Sequence, residues 1–565
     1  MSCQTCSRRP RTAHALSLPA VPPRARSIIA VAALLAAACG GTAGDESAGT
    51  VPPTSLAATT TAPATSTTTT RTDTTSATAA SKSNIATSTT DTAPATTTST
   101  STTAPATSTT TASTTTKTVP PTAAEGLGDS FYPFLGNGGY DALHYEIDLD
   151  VDPAANTISA LTSITAQATE DLEAFNLDLL GLEVHSVAVD GVQAEFWRSG
   201  HELTIQPESP LAASSQFEVA VSYSGSPEAL DDPGVPFAKM GWLHRDGVIY
   251  TLGEPSGSMT WFPSNNHPTD KATYEIQITV PEGVTAASNG LLVDETTSDG
   301  KTAYTWRMDD PMATYLAAVY VGDFERIDHG PLYDGGPIIR DYVPRDASPD
   351  VAQALSVTPD VIAFLEERLG PYPFDAYGTI VMPFPLGLAL ENQTLSIHGP
   401  ATIGPGIIAH EAAHQWLGDS VSPDDWSEIW LNEGFPTYLH LMFEAEHFGA
   451  DFNDTMTQVH AWLSSEGIGP PKGIEIQDLF GPTVYYRGAA TLHALRLHTT
   501  DDTFYEILRT HSDRSAGGTT NTDEFLGIVD EFAGPEAVDL VESWLYDEAL
   551  PPFVAGPADS TGGFK

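Results

Sequence analysis

Two histidines four residues apart flank a glutamate in the string His410-Glu411-Ala412-Ala413-His414. On a helix such positions share one face, so both imidazoles can grip one ion. Glu411, one step round, is placed to take a proton from water that the ion has activated rather than to bind the ion itself. A catalytic zinc keeps three protein ligands and one open position. The third ligand is read as Glu433, which follows His414 after eighteen intervening residues within Trp430-Leu431-Asn432-Glu433-Gly434-Phe435. The nearer acids Asp419, Asp424, Asp425 and Glu428 are read as surface, capping or outer groups, with Asp419 the candidate partner of a ligand histidine. One Zn2+ ion is the expected cofactor.

These side chains need two helices folded back on each other. Gly404-Pro405-Gly406 opens the first, since proline at an early helical position wastes no amide, and the helix is expected to run to about Gly418. A turn over 420–424 returns the chain. Asp425, three residues before Glu428, predicts a capping box that starts the second helix, with Ile429, Trp430, Leu431 and Phe435 as its apolar anchors. Pro436 within it removes an amide and predicts a kink. A further helix is expected over 349–368, stopped by Gly370-Pro371. Upstream the period changes to two: Leu143, Tyr145, Ile147, Leu149 and Val151 alternate with polar residues, and similar runs recur at 183–189 and 217–223. With Asp190-Gly191 and Asp246-Gly247 as turns, residues 126–325 read as a mostly antiparallel β domain.

The 565 residues suggest roughly three to four domain-sized units, and composition divides them. Five arginines precede an apolar run from Ile28 to Ala38, too short to span a bilayer but suited to an export signal over 1–38. The run ends at Ala38-Cys39-Gly40, where Cys39 resembles the lipidated first residue of a bacterial lipoprotein. An ordinary cleaved secretory signal is the other reading, and export follows from both. Residues 39–125 are dominated by Thr, Ser, Ala and Pro, and TTAPATSTTT occurs at 60–69 and again at 102–111. Such a stretch has too few large side chains to offset backbone ordering and is expected to be a disordered tether. The remaining divisions are 126–325, 326–497 for the catalytic helices, 498–550 for a short helical C-terminal region and 551–565 for a polar tail. The only cysteines are Cys3, Cys6 and Cys39, so no disulfide can form after position 39. The net charge of −49, from 73 acidic against 24 basic residues, disfavours nucleic acid and anionic headgroups as partners. A membrane association would run through a lipid on Cys39. The sequence leaves the oligomeric state open.

Several spaced motifs together resemble the aminopeptidase N family of gluzincin zinc peptidases: HEAAHQWLGD at 410–419, WLNEGFPTY at 430–438, LALENQT at 388–394 and VYYRGA at 484–489. The β part contributes YPFLGNGGYDALHY at 132–145 and WFPSNNHPTDKATY at 261–274, so the likeness spans about 126–550. The resemblance implies a multidomain α+β fold, a β-rich N-terminal domain followed by a thermolysin-like, mainly helical zinc peptidase domain, in a compact form with a short C-terminal region. It implies that Glu391 and Glu254 bind the free amino terminus of a peptide substrate and that Tyr485 donates a hydrogen bond to the developing oxyanion. Leu388 and Leu390 depart from the family's usual Gly-Ala-Met-Glu-Asn form, which leaves the first-residue preference open. The implied activity is aminopeptidase; a related endopeptidase or epoxide hydrolase, or an inactive binding protein retaining the fold, are the alternatives.

Overall fold

The computed structural model describes residues 123–554; the export run, Cys39, nearly all of the Thr/Ser-rich tether and most of the polar tail lie outside the described residues. In the strand Tyr140–Asp152 the buried side chains are Tyr140, Ala142, Tyr145, Ile147, Leu149 and Val151, a period of two interrupted once. The interruption is a bulge between Ala142 and His144 against the neighbouring strand Thr157–Ala168. An extra residue there resets which face points inward, so Leu143, expected inside, is only half-buried.

Tyr140–Asp152 lies within an eight-stranded sheet, antiparallel to Thr157–Ala168 and parallel to Lys271–Pro281. Across the parallel pair Tyr145 stacks on Tyr274 with ring centroids 4.9 Å apart, and Phe262 meets Tyr145 edge-on at 5.8 Å. Burial of such aromatic area adds to the stability that the aliphatic core gives this part. A five-stranded sheet includes Val248–Leu252, buried along its whole length, and the chain leaves that strand directly into Gly253-Glu254. A three-stranded sheet pairs Phe175–Asp178 with Glu202–Gln206. β structure runs on through Phe324–Pro331 and Ile338–Pro344 before the first helix. Those two strands open a six-stranded sheet that continues into the helical part through Thr379–Val381, Ser396–His398 and Ala389–Leu390, and the last of these delivers Glu391.

The helix expected over 349–368 is two helices, Pro349–Leu355 and Thr358–Leu369, each with proline in its first turn. Pro359 lacks an amide to continue the first helix but suits the start of the second. The helix expected to carry both histidine ligands spans Pro405–His414 and stops short of the expected Gly418. Beyond it, Gly418 adopts a φ of +134°, and its amide donates to the Val421 carbonyl at 2.7 Å. A side chain there would strike Asn432 Oδ1 at 2.5 Å and His414 Nδ1 at 2.9 Å, so this return requires glycine. The expected turn holds a short strand, Val421–Pro423, paired in parallel with Gly518–Thr520.

Asp425 caps a 3-10 turn, accepting from the Ser427 amide at 2.8 Å, and the helix Ile429–Phe448 follows. The capping box does not close. Glu428 pairs with Lys472 at 2.6 Å and accepts from the Thr522 amide at 3.1 Å, anchoring the C-terminal helices instead. The helix continues as one element through Pro436. The helices Gly488–His498, Asp501–Arg514, Thr522–Ala533 and Pro535–Tyr546 complete the mainly helical part. Buried Arg487 ties them together, donating to the carbonyls of Trp544 at 2.9 Å and Ile468 at 3.3 Å. Among the described residues no helix is long and apolar enough to cross a membrane.

Candidate active site

The two site helices pack side by side and bring the expected ligands together. Glu433 Oε2 lies 3.2 Å from His410 Nε2 and 3.6 Å from His414 Nε2, with all three residues buried. Two imidazole nitrogens and one carboxylate oxygen within 4.8 Å of one another form a donor set suited to zinc. The far nitrogen of His410 is also engaged: Nδ1 lies 3.1 Å from His440 Nδ1. Holding Nδ1 fixes the ring so that Nε2 faces the metal position.

The electrostatics call for added positive charge. Glu254, Glu391, Glu411 and Glu433 are all buried, and the last three surround His414. Burial alone would depress His414, yet the charges of Glu391, Glu433 and Glu411 overcome it and push the imidazole up to about 10. Glu433 is raised by burial but held down at about 2 by its hydrogen bonds to His410 and His414. Glu411 moves the other way: burial first, then Glu391 and Glu433, push it well above the usual carboxylate range. Carboxylates crowded in one buried site beside a single imidazolium accommodate a dication and an ammonium far better than they accommodate one another.

Glu254 and Glu391 come from different parts of the chain and meet through a residue to which the sequence reading gave no role. Asn432 Nδ2 donates to Glu254 Oε1 at 3.2 Å and reaches Glu391 Oε1 at 3.5 Å. Burial, then their mutual charge, raises Glu254, and burial raises Glu391 against the lowering influence of His414. Gln415 fixes the Glu391 loop, donating to the Glu391 carbonyl at 2.9 Å and accepting from the Thr394 amide at 2.7 Å.

Tyr485 lies in a π-helical turn, Thr483–Arg487, where one wider turn re-aims a side chain. Its half-buried ring lies parallel to His410 with centroids 6.0 Å apart, whereas the neighbouring Tyr486 packs edge-on against Trp462 at 5.1 Å. The turn approaches the Glu433 helix because two glycines meet: a Cβ on Gly488 or on Gly434 would lie 3.0 Å from the other's Cα.

Asp419 is fully buried, but neither carboxylate oxygen has a hydrogen-bond partner among the described residues, so it does not orient a ligand histidine through such a bond. Its backbone carbonyl instead accepts from Lys271 Nζ at 2.7 Å, and burial holds that amine down at about 7. His440 does contact a ligand. It stands seven residues after Glu433, two turns along the same face, and that spacing was the signal available in the sequence.

Residues 353–544 match the Peptidase family M1 domain and residues 141–316 the Peptidase M1 N-terminal domain. A crystal structure of an M1 zinc metallopeptidase from Deinococcus radiodurans is similar with a TM-score of 0.72 at 31% identity, covering 76% of this chain and 99% of that one. The same Deinococcus enzyme bound to a Tyr-Ser-Ala substrate gives 0.71 at 32% identity over the same shares. Aminopeptidase N of Streptomyces lividans is 24% identical over 443 residues, 71% of this chain but only 50% of that protein. Leukotriene A-4 hydrolase of Xenopus laevis is 22% identical over 457 residues, 73% of this chain and 72% of that protein. With its metal donors converged between two site helices and both family domains matched in order, this chain belongs to peptidase family M1 and is a zinc metallopeptidase.

Proposed function

We propose that the protein is an aminopeptidase of the aminopeptidase N type, releasing single residues from the free amino terminus of peptides. The observation that carries this reading is the pair Glu254 and Glu391, buried beside the metal donors and joined through Asn432. Two carboxylates in a low-dielectric site suit an ammonium and leave an acylated terminus without a charge partner. Such an anchor sets the register of the chain, so that the first peptide carbonyl reaches the metal face of the helix Pro405–His414.

His410, His414 and Glu433 would hold a zinc ion, which would supply a Lewis acid able to acidify water and polarise the carbonyl. Glu411 takes the proton from the attacking water and returns it to the departing amine nitrogen. Burial keeps that carboxylate basic enough to accept it. The Tyr485 phenol, on the Gly488 side of the site, donates to the oxygen on which negative charge develops. The complex of the similar Deinococcus enzyme with Tyr-Ser-Ala supports a short peptide as substrate.

The reading extends to location. The apolar run 28–38 ending at Cys39 supports export with lipid anchoring, and the Thr/Ser-rich stretch supports a tether that lifts the catalytic part off the membrane. Cell fractionation before and after proteolysis within 42–124 tests it, and activity that stays with the membrane after cleavage would count against it.

The activity is tested with zinc-loaded protein on a peptide and its N-acetylated twin. The free-amine form should be cleaved at its first bond and the acetylated form left intact. Equal cleavage of the two would remove the amine anchor.

A further inference from the structure

The β part contains a second cluster of metal-ligating side chains that the peptidase chemistry does not use. Asp178 and Glu202 stand opposite each other in register where Phe175–Asp178 pairs with Glu202–Gln206, and His201 immediately precedes the second strand. His201 Nε2 lies 3.6 Å from Asp178 Oδ1 and 3.6 Å from Glu202 Oε1. The Phe134 carbonyl is 3.0 Å from the same nitrogen. The donor atoms of Asp178, His201 and Glu202 all fall within 4.8 Å of one another, as do those of His410, His414 and Glu433.

The two oxygens of Asp178 are treated differently. Oδ2 accepts from the amides of Gly136 at 3.1 Å and Asn266 at 2.9 Å, which pins the carboxylate. Oδ1 belongs to a side chain of zero exposure, takes no hydrogen bond, and points at His201 and Glu202. Glu202 Oε1 is likewise buried without a hydrogen bond, while its Oε2 is within 3.2 Å of the Asn137 amide nitrogen once that amide is turned. Two fixed carboxylates therefore each direct an unsatisfied oxygen to one place, beside an imidazole nitrogen and a backbone carbonyl. An unsatisfied buried oxygen is costly, and two facing each other are costlier.

We propose that Asp178, His201 and Glu202, with the Phe134 carbonyl, form a second metal site that binds a divalent transition-metal ion of the Zn2+ or Mn2+ class. Donor atoms about 3.4 Å apart are the edges of a tetrahedron whose centre lies about 2.1 Å from each, and the separations from His201 Nε2 of 3.6 Å to each carboxylate and 3.0 Å to the Phe134 carbonyl bracket that edge. The imidazole nitrogen favours this class over Ca2+ or Mg2+, which prefer oxygen alone. His201, 27% exposed at its side chain, gives the ion a route in from solvent. Burial, then neighbouring charge, pushes Glu202 up to about 8, and burial pushes Asp178 up to about 6, so a dication also relieves the strain of ionising them together. The site would lock the segment carrying Phe134, Gly136 and Asn137 onto the three-stranded sheet.

The test is metal content by mass spectrometry on the full-length protein after equilibration with Zn2+ or Mn2+ and gel filtration, with thermal unfolding alongside. Wild type should retain two equivalents per chain, and His201→Ala one, with peptidase activity kept and the metal-induced rise in Tm at the second site lost. His201→Ala is the first variant because that side chain reaches the surface; Asp178→Asn is the second, and should give the same single equivalent. One equivalent in wild type with either metal would overturn the proposal and leave His201 as a hydrogen-bond donor to Phe134 beside a protonated Glu202. A rise in Tm with Ca2+ alone would overturn the metal class. Two equivalents retained in both variants would place the extra ion elsewhere and overturn the assignment.

Discussion

Asn432 Nδ2 donates to Glu254 Oε1 across 3.2 Å, joining residues 178 positions apart and closing the β part against the helix that carries Glu433. Asn432 thus serves two neighbours at once: it steadies the carboxylates proposed to hold a substrate ammonium, and it precedes a metal ligand on the same helix.

Removing that amide should weaken amine recognition without emptying the metal site. For Asn432→Ala we expect kcat/KM on a free-amine peptide to fall about 10- to 100-fold, the scale of a hydrogen bond to a charged group. Bound zinc should stay at one equivalent at the catalytic site. Loss of zinc in parallel with activity would show that Asn432 acts on the ligands rather than on the amine anchor.

Glu411→Gln keeps the shape of the side chain and removes the base. Turnover should drop by about 100- to 10,000-fold, with zinc stoichiometry and Tm close to wild type. Turnover near the wild-type value would exclude Glu411 as the proton acceptor.

The meeting of Gly434 and Gly488 predicts a linked loss of stability and turnover. A methyl group in Gly488→Ala would press on the Gly434 backbone 3.0 Å away, and overpacking of this kind costs about 1–3 kcal/mol. The neighbouring turn carries Tyr485, so kcat should fall more than KM rises. Denaturant titration with steady-state kinetics reads both, and unchanged stability would show that the helices part without cost.

Asp270 predicts a pH dependence of stability. It accepts from the Ala142 amide at 3.1 Å, and burial pushes its carboxyl up to about 8. Below about pH 4 folded and unfolded chains both carry the proton, and the full contribution is present. Between about pH 4 and 8 only the folded chain keeps it, so stability falls as pH rises, by at most about 1.4 kcal/mol per pH unit from this group. Above about 8 the effect is flat. Asp270→Asn, which imitates the neutral acid, should show a shallower decline of the urea midpoint between pH 5 and 8, and an unchanged slope would assign the dependence to other groups.

Local pattern carried much of the architecture. Strand Tyr140–Asp152 was legible because one buried face imposes a period of two, and the bulge at Ala142/His144 was not, because it depends on the partner strand. The split of the 349–368 helix was written in Pro359, while the failure of the Asp425–Glu428 capping box was not, since Glu428 is claimed by Lys472 and Thr522, distant in sequence.

The sequence by itself determined the metal donors: His410 and His414 share a helical face whatever surrounds them, and helix geometry fixes their separation. The need for a third ligand and the returning turn after His414 pointed to Glu433, and resemblance supplied Glu391, Glu254 and Tyr485 as candidates. Only the tertiary structure decided that Asn432 bridges two carboxylates from separate parts of the chain, that His440 backs His410, and that Asp178, His201 and Glu202 converge away from the peptidase centre. Contacts between remote segments depend on how sheets and helices pack, and no local periodicity encodes where two such segments will meet.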